Sequence, residues 1–214
     1  MIGRRNTLTA LELDKTNVAV ILNSDFFSDT QGGIENYARN LSQALTRSGI
    51  CVYYIDTRSI KRTTRNREFM ISDHKISNYL FLIKLLILRP KLKRIDNLII
   101  HAQRPDHVVP FFLLGKKIVL ISTIHGPQRK AIFQNKGRIV GIIYSILEDI
   151  GLLIANSLIF TDKRTCGDYV TKMRWIKKKS YVVPPGISSI FANRSLNEEG
   201  RKRFGFNCDF QFLT

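Results

Sequence analysis

Apolar residues along this chain come in two kinds of stretch: short unbroken runs, and longer segments where they return every three or four positions. "VAVIL" (Val18 to Leu22) is of the first kind. Such a run is what a parallel strand buried on both faces requires. From Ile34 the apolar positions are Ile34, Tyr37, Ala38, Leu41, Ala44 and Leu45, the spacing of one helix face, and Gly49 is placed to end that helix. "CVYYID" (Cys51 to Asp56) reads as a second strand. Strand, helix and strand in this length form a βαβ unit, which implies a right-handed crossover and a parallel sheet.

The alternation then repeats. A basic loop leads to a helix around Ile76 to Leu88, followed by the strand "NLIIHA" (Asn97 to Ala102), a short helix in "DHVVPFFLLG" and the strand "KIVLIST" (Lys117 to Thr123). "GRIVGIIYSILEDIGLLIA" predicts a long helix, "NSLIFT" (Asn156 to Thr161) a strand, Lys163 to Trp175 a helix, and "SYVVPPGI" (Ser180 to Ile187) a strand ending in a turn. Alternation this regular predicts an α/β fold with a doubly wound, Rossmann-like parallel sheet over residues 17–191. Residues 1–16 are polar and read as a frayed start. At the other end "CDFQFLT" (Cys208 to Thr214) reads as a new strand, either an edge strand or the first strand of something further.

Composition narrows the partners. Hydrophobic residues are 44% of the 214, enough for a sizeable core, and the net charge is +17. That excess points to an anionic partner: nucleic acid, a phospholipid surface or a phosphorylated substrate. The basic residues recur in "RSIKRTTRNR", "RPKLKR", "KMRWIKKK" and "RKR", as solvated faces or as a surface that meets a membrane or polyanion. No helix-turn-helix, RRM or OB pattern accompanies them, which weakens a nucleic-acid-binding role. "YLFLIKLLIL" (Tyr79 to Leu88) is too short to span a bilayer and carries Lys84; it reads as a core helix or as an interfacial one. Cys51, Cys166 and Cys208 lie far apart with no metal-ligand spacing and fit a reducing cytoplasm. The polar N-terminus lacks the apolar segment of a secretory signal.

Two places carry candidate chemistry. Gly32 and Gly33 stand between the first strand and the first helix. They make either a tight turn or a cradle in which backbone N–H groups at a helix N-terminus meet a phosphate. The spacing is neither G-x-G-x-x-G nor a P-loop. His125 follows "KIVLISTI" and precedes Gly126, at or just past the carboxyl end of a strand, the edge where the glycine pair also lies. A histidine there either caps a turn or exchanges hydrogen bonds and protons with a substrate. His101 divides between core packing and the site rim, and Asp25 and Asp29 between turn capping and contact with a hydroxylated ligand. Glu35 reads as a partner of the helix dipole. His74 and His107 have no such setting. No metal-binding constellation or Ser/His/Asp arrangement stands out.

These pieces occur in a known order. The chain resembles the N-terminal half of the retaining, GT-B-fold glycosyltransferases of family 4. The resemblance is carried by "GGIENYARNLSQAL" after the first strand, "DNLIIH" (Asp96 to His101), "STIHG" (Ser122 to Gly126) and "VVPPGISSIF" (Val182 to Phe191). Gln103 stands where many members have a histidine, and Pro185 replaces the asparagine of a P-N-G turn.

The resemblance implies an acceptor-side domain over 17–191. It also implies that 192–214 holds an interdomain segment and the first strand of a second, donor-binding Rossmann-like domain. It implies that Gly33, with Gly32, meets the diphosphate of a nucleotide-sugar, that His125 lies near the transferred sugar, and that no metal is needed. The acceptor it implies is lipid-linked or a glycan, and several members work at the inner face of the cytoplasmic membrane. There each basic side chain adds about 1 kcal/mol of attraction to anionic lipid. The alternative is a non-catalytic, membrane-associated half-enzyme that pairs with a donor-binding subunit.

Overall fold

The computed structural model describes residues 16–26, 32–57, 68–114 and 118–185. All but Pro185 belong to one compact unit, Met1–Pro184. The expected boundary at 191/192 and the terminal strand Cys208–Thr214 lie outside the described residues, as does nearly all of the expected frayed start.

The described strands form one parallel sheet of seven, β1 (Asn17–Ile21), β2 (Cys51–Thr57), β3 (Glu68–Ser72), β4 (Leu98–Ala102), β5 (Val119–Ile124), β6 (Ser157–Phe160) and β7 (Ser180–Val182), in the order 3-2-1-4-5-6-7. Every pairing is parallel. This is the doubly wound α/β architecture the alternation predicts. The helices are α1 (Gly33–Arg47), α2 (Asn78–Leu92), α3 (Gln128–Lys136), α4 (Arg138–Ile154) and α5 (Lys163–Lys172), with 3-10 segments at Pro105–Leu114 and Arg174–Lys179.

The sheet is covered on both faces. One core joins Ala19, Ile21, Leu98 and Ile100 to α2 through Phe81, Leu85 and Leu92, to the first 3-10 segment through Val108 and Phe111, and to α4 and α5 through Leu152 and Tyr169. The second, smaller core packs Val18, Val20 and Val52 against Ala38 of α1 and Phe26. Val18 to Ile21 are therefore buried in alternation into two cores, which is why the run has no polar position.

Several details differ from expectation. β3 falls at the end of the stretch expected to be a basic loop; its "EFMIS" sequence has no unbroken apolar run, and among the described strands it stands at the edge of the sheet. The helix expected over Lys163 to Trp175 stops at Lys172, where Met173 turns to φ −132°, ψ 74° and a 3-10 segment follows. The last strand ends at Val182, since Pro184 and Pro185 have no N–H for a ladder. α3 is an additional helix, folded back on α4 at Gly137 (φ 85°) so that the Phe133 ring lies against Gly141.

α4 is inverted relative to an ordinary surface helix. Its inward face carries Gly141, Tyr144, Glu148, Gly151 and Leu152. Its outward positions Ile139, Ile142, Ile143, Ile146, Ile150 and Leu153 are exposed. The inward polar groups are satisfied. The carboxylate of Glu148 accepts from Tyr144 Oη (3.2 Å) and Tyr169 Oη (2.8 Å), and Arg129 bridges Glu148 and Asp149. The Arg104 guanidinium lies over the Tyr144 ring, 5.0 Å from its centroid, and forks onto Asp106 through Nε and Nη2, both at 3.0 Å. Asp106 also accepts from Asn78 Nδ2, whose amide oxygen pairs with His107 Nε2 at 2.8 Å. A buried charge without such partners would cost several kcal/mol, on the order of 3–5 when one partner is removed.

Gly151 lets α4 approach the backbone of the 3-10 segment. A Cβ there would overlap the Pro105 carbonyl oxygen, which cannot move without shifting the chain. We predict that Gly151→Ala destabilises the domain by about 3 kcal/mol. Urea unfolding checks this, and an unchanged midpoint would contradict the close approach.

Candidate functional site

The strand order reverses between β1 and β4, so the chains leaving these two strands diverge to opposite sides and open a crevice at their carboxyl ends. The crevice floor is closed by main-chain bonds: Gln103 N donates to the Ile21 carbonyl (3.1 Å) and Leu22 N to that of Ile55 (3.0 Å). Around it stand Leu22 to Phe26 after β1, Gly32 and Gly33 at the start of α1, Gln103 and Arg104 after β4, and His125 after β5. The structure thus brings the glycine pair and His125, far apart in sequence, to the same edge of the sheet, after β1 and β5 on either side of β4.

Gly32 is the N-cap of α1, in extended conformation (φ −80°, ψ 176°), and as a glycine it supplies no side-chain cap. The first-turn N–H groups are thus not taken up by the cap residue, and the helix dipole adds partial positive charge there. The two glycines are not equivalent. A Cβ on Gly33 would meet nothing within 4 Å, whereas one on Gly32 would stand 2.7 Å from Glu35 Oε2. Glu35 folds back over the helix start and accepts from Ser24 Oγ at 2.8 Å. The open approach is thus over Gly33, with the Glu35 carboxylate beside it.

His125 is partly buried. Its Nε2 lies 2.9 Å from Gln103 Oε1, and its ring meets Tyr37 edge-on at 4.9 Å between centroids. Because Oε1 only accepts, this bond selects the tautomer protonated at Nε2 and leaves Nδ1 with its lone pair. Burial lowers the His125 pKa from 6.5 to about 4, although the Glu35 carboxylate pulls the other way. At pH 7 the imidazole is neutral, a hydrogen-bonding group and not a cation. Gly126 follows with φ +145°, a conformation L side chains rarely adopt, which explains why a glycine succeeds this histidine.

A polar relay supports the ring from below. Thr123 Oγ1 pairs with His101 Nε2 at 2.8 Å and also bonds the Tyr37 side chain. His101, which the sequence divided between core and rim, lies in the core: it is only 4% exposed, beneath Thr123. Asp25 is buried beside the crevice, and Asp29 lies outside the described residues. Tyr37 and Thr123 escaped the sequence reading because each fits a plain structural pattern, a helix face and a strand end. Gln103, the first residue after β4, is marked in the sequence only as standing in place of a histidine, not as a partner of His125. It is fully buried, and its Nε2 finds no hydrogen-bond partner among the described residues. Among the described residues, no group of three or more His, Cys, Asp or Glu side chains gathers to hold a metal.

The family model for glycosyltransferase family 4 matches residues 31–189, and the chain belongs to that family. Its described sheet, seven parallel strands with helices on both faces, is of the Rossmann-like α/β type. Two solved structures of an alpha-glucosyltransferase are similar to it. One is in complex with UDP and a 13-mer DNA containing an HMU base (10% identity, TM-score 0.48), the other with UDP-glucose and DNA containing an abasic site (11%, 0.46). Each match takes in 84% of this chain but only 44% and 45% of those chains, so the chain spans less than half their length. No curated protein matches the chain.

Three histidines, His101, His107 and His125, have pKa values lowered to about 4, in each case chiefly by burial; His125 also repels a charge on His101, and Arg104 one on His107. The folded state holds them neutral while the unfolded chain protonates them near 6.5. Their contribution is present above pH 6.5 and is lost as pH falls towards 4. The urea midpoint should therefore fall between pH 7 and pH 5, before most carboxylates titrate. A flat profile over that range would contradict the burial of these rings.

Proposed function

We propose that the chain is the acceptor-side half of an enzyme that moves a hexosyl group from a nucleotide-sugar to a lipid-linked or glycan acceptor. The observation that carries this reading is the juxtaposition of a glycine-capped helix start, open over Gly33, with a neutral histidine at the switch-point crevice. Breaking the bond between the sugar's anomeric carbon and the diphosphate puts negative charge on the leaving group. Preorganised N–H dipoles at the start of α1 stabilise that charge without reorganising. The Nδ1 lone pair of His125 accepts from a sugar hydroxyl and fixes the ring being transferred, while Gln103 and Tyr37 hold the imidazole.

The base and most of the sugar are assigned to a second, donor-binding domain, on the same polypeptide or on a partner subunit. By this reading the domain described here does not turn over alone. The charge of +17 supports work in the cytoplasm, peripheral at the inner face of the cell membrane, where lipid-linked acceptors and anionic headgroups coincide.

Radiolabelled nucleotide-sugars offered to membranes containing the intact enzyme should label a lipid-extractable or glycan product. His125→Ala should lower turnover by about 100-fold or more in protein still folded at the assay temperature, although the buried Gln103 amide it leaves unpaired lowers the thermal midpoint. Equal turnover would remove His125 from this role. Gly33→Val should fold normally, given the open space at its Cβ, yet weaken nucleoside diphosphate binding at least about tenfold. Unaltered affinity across the common bases would place the diphosphate elsewhere.

A further inference from the structure

The outward residues of α4 form a stripe at helical spacing: Ile139, Ile142, Ile143, Ile146, Ile150 and Leu153, with Ile139 76% and Leu153 65% exposed. A stripe of this length runs roughly 20 Å along the helix. An ordinary surface helix turns such residues inward. Here the inward side is already committed to glycines and to the satisfied Tyr144–Glu148 network, so the isoleucines are not a core face turned the wrong way. α2 repeats the feature with Leu80, Ile83, Leu86 and Ile87, the last 72% exposed. Its one interior lysine, Lys84, is turned to the Ile71 carbonyl at 3.0 Å. The two helices pack on the same face of the sheet and meet where Tyr79 Oη donates to the Val140 carbonyl at 3.4 Å.

Basic residues border this apolar surface. Lys136 and Arg138 stand exposed at the start of α4, and Lys91, Lys93 and Arg94 at the end of α2. At the other end of α4, Lys179 Nζ caps the Leu153 and Ala155 carbonyls, both at 2.8 Å, and lies over the half-exposed Trp175 ring, with Lys177 and Lys178 beside it. The acidic residue on the outward side of α4, Asp149, is bridged by Arg129. Isoleucines bordered by lysine, arginine and tryptophan are the chemistry of a helix lying in the headgroup–acyl boundary of an anionic bilayer. Among the described residues no helix is long and apolar enough to cross a membrane, which leaves lying on it. A second copy of this chain fits the stripe poorly, because two basic borders would be brought together.

We propose that the outer faces of α4 and α2 are a membrane-docking surface for anionic phospholipid, seated with the α4 isoleucines among the acyl chains. This deepens the membrane-peripheral reading above and rests on it for the cellular setting, but not on sugar transfer.

The test is flotation of the purified full chain with vesicles of phosphatidylcholine containing phosphatidylglycerol, against phosphatidylcholine alone. Capture should require the anionic lipid and weaken with salt. The combined variant Ile142→Gln, Ile146→Gln, Ile150→Gln should lower partitioning at least about tenfold with an unchanged urea midpoint. In a Trp175→Phe background, the indole introduced by Ile146→Trp should shift its emission to the blue on binding and be quenched by brominated acyl chains. Equal capture of the triple variant, an indole at position 146 that escapes quenching, or no capture of the wild type would overturn the inference. So would a self-association that the triple variant abolishes, since a second copy would then occupy the stripe. Loss of vesicle capture with sugar transfer intact would strike this inference alone. Capture of the Gly33→Val protein equal to wild type supports it whether or not any sugar is transferred.

Discussion

The pairing of β1 with β4 is the constraint from which the candidate site follows. It places side by side two strands whose following segments leave in opposite directions, and the Gln103 N–H bonded to the Ile21 carbonyl holds the junction shut beneath the crevice. With that seam in place, the helix start at Gly33 and the loop carrying Gln103 face one another by necessity of topology. β5 then adds His125 on the next strand end, within reach of Gln103. The site is a consequence of strand order before it is a consequence of any one side chain.

The same seam governs the electrostatics. Gln103 and Tyr37 take His125 largely out of water, so its imidazole is neutral through the physiological range, and Thr123 and His101 continue the hydrogen bonding into the core. A cationic histidine would compete with the helix start for the diphosphate. A neutral one, with Nε2 spoken for, offers a directional lone pair to a hydroxyl. Glu35, bent back over Gly32, leaves the approach over Gly33 as the open one.

On the sheet face away from α1 stands α4, whose inward face is polar because Glu148 is held by Tyr144, Tyr169 and Arg129, and whose outward face is isoleucine. Gly151 makes the arrangement possible by admitting the Pro105 backbone. The close approach fixes the helix's rotation, and rotation alone decides which face meets solvent. A domain built this way carries an apolar surface backed by a paired Tyr144–Glu148–Arg129 network.

The alternation of strands and helices, the parallel sheet and the family were legible in the residue pattern, because buried parallel strands need unbroken apolar runs and helices need a three-to-four residue return. The pattern also marked Gly32, Gly33 and His125, whose positions at strand ends follow from those runs. β3 escaped it, since a strand at the edge of the described sheet, only partly buried, need not be continuously apolar. It took the folded chain to show that Gln103 and Tyr37 hold His125, that His101 lies beneath Thr123, and that the isoleucines of α4 face outward. Helical periodicity reports that a face exists and not where it points. Only the partners that close on the other face, here Arg129, Tyr169 and the Pro105 backbone, set its direction.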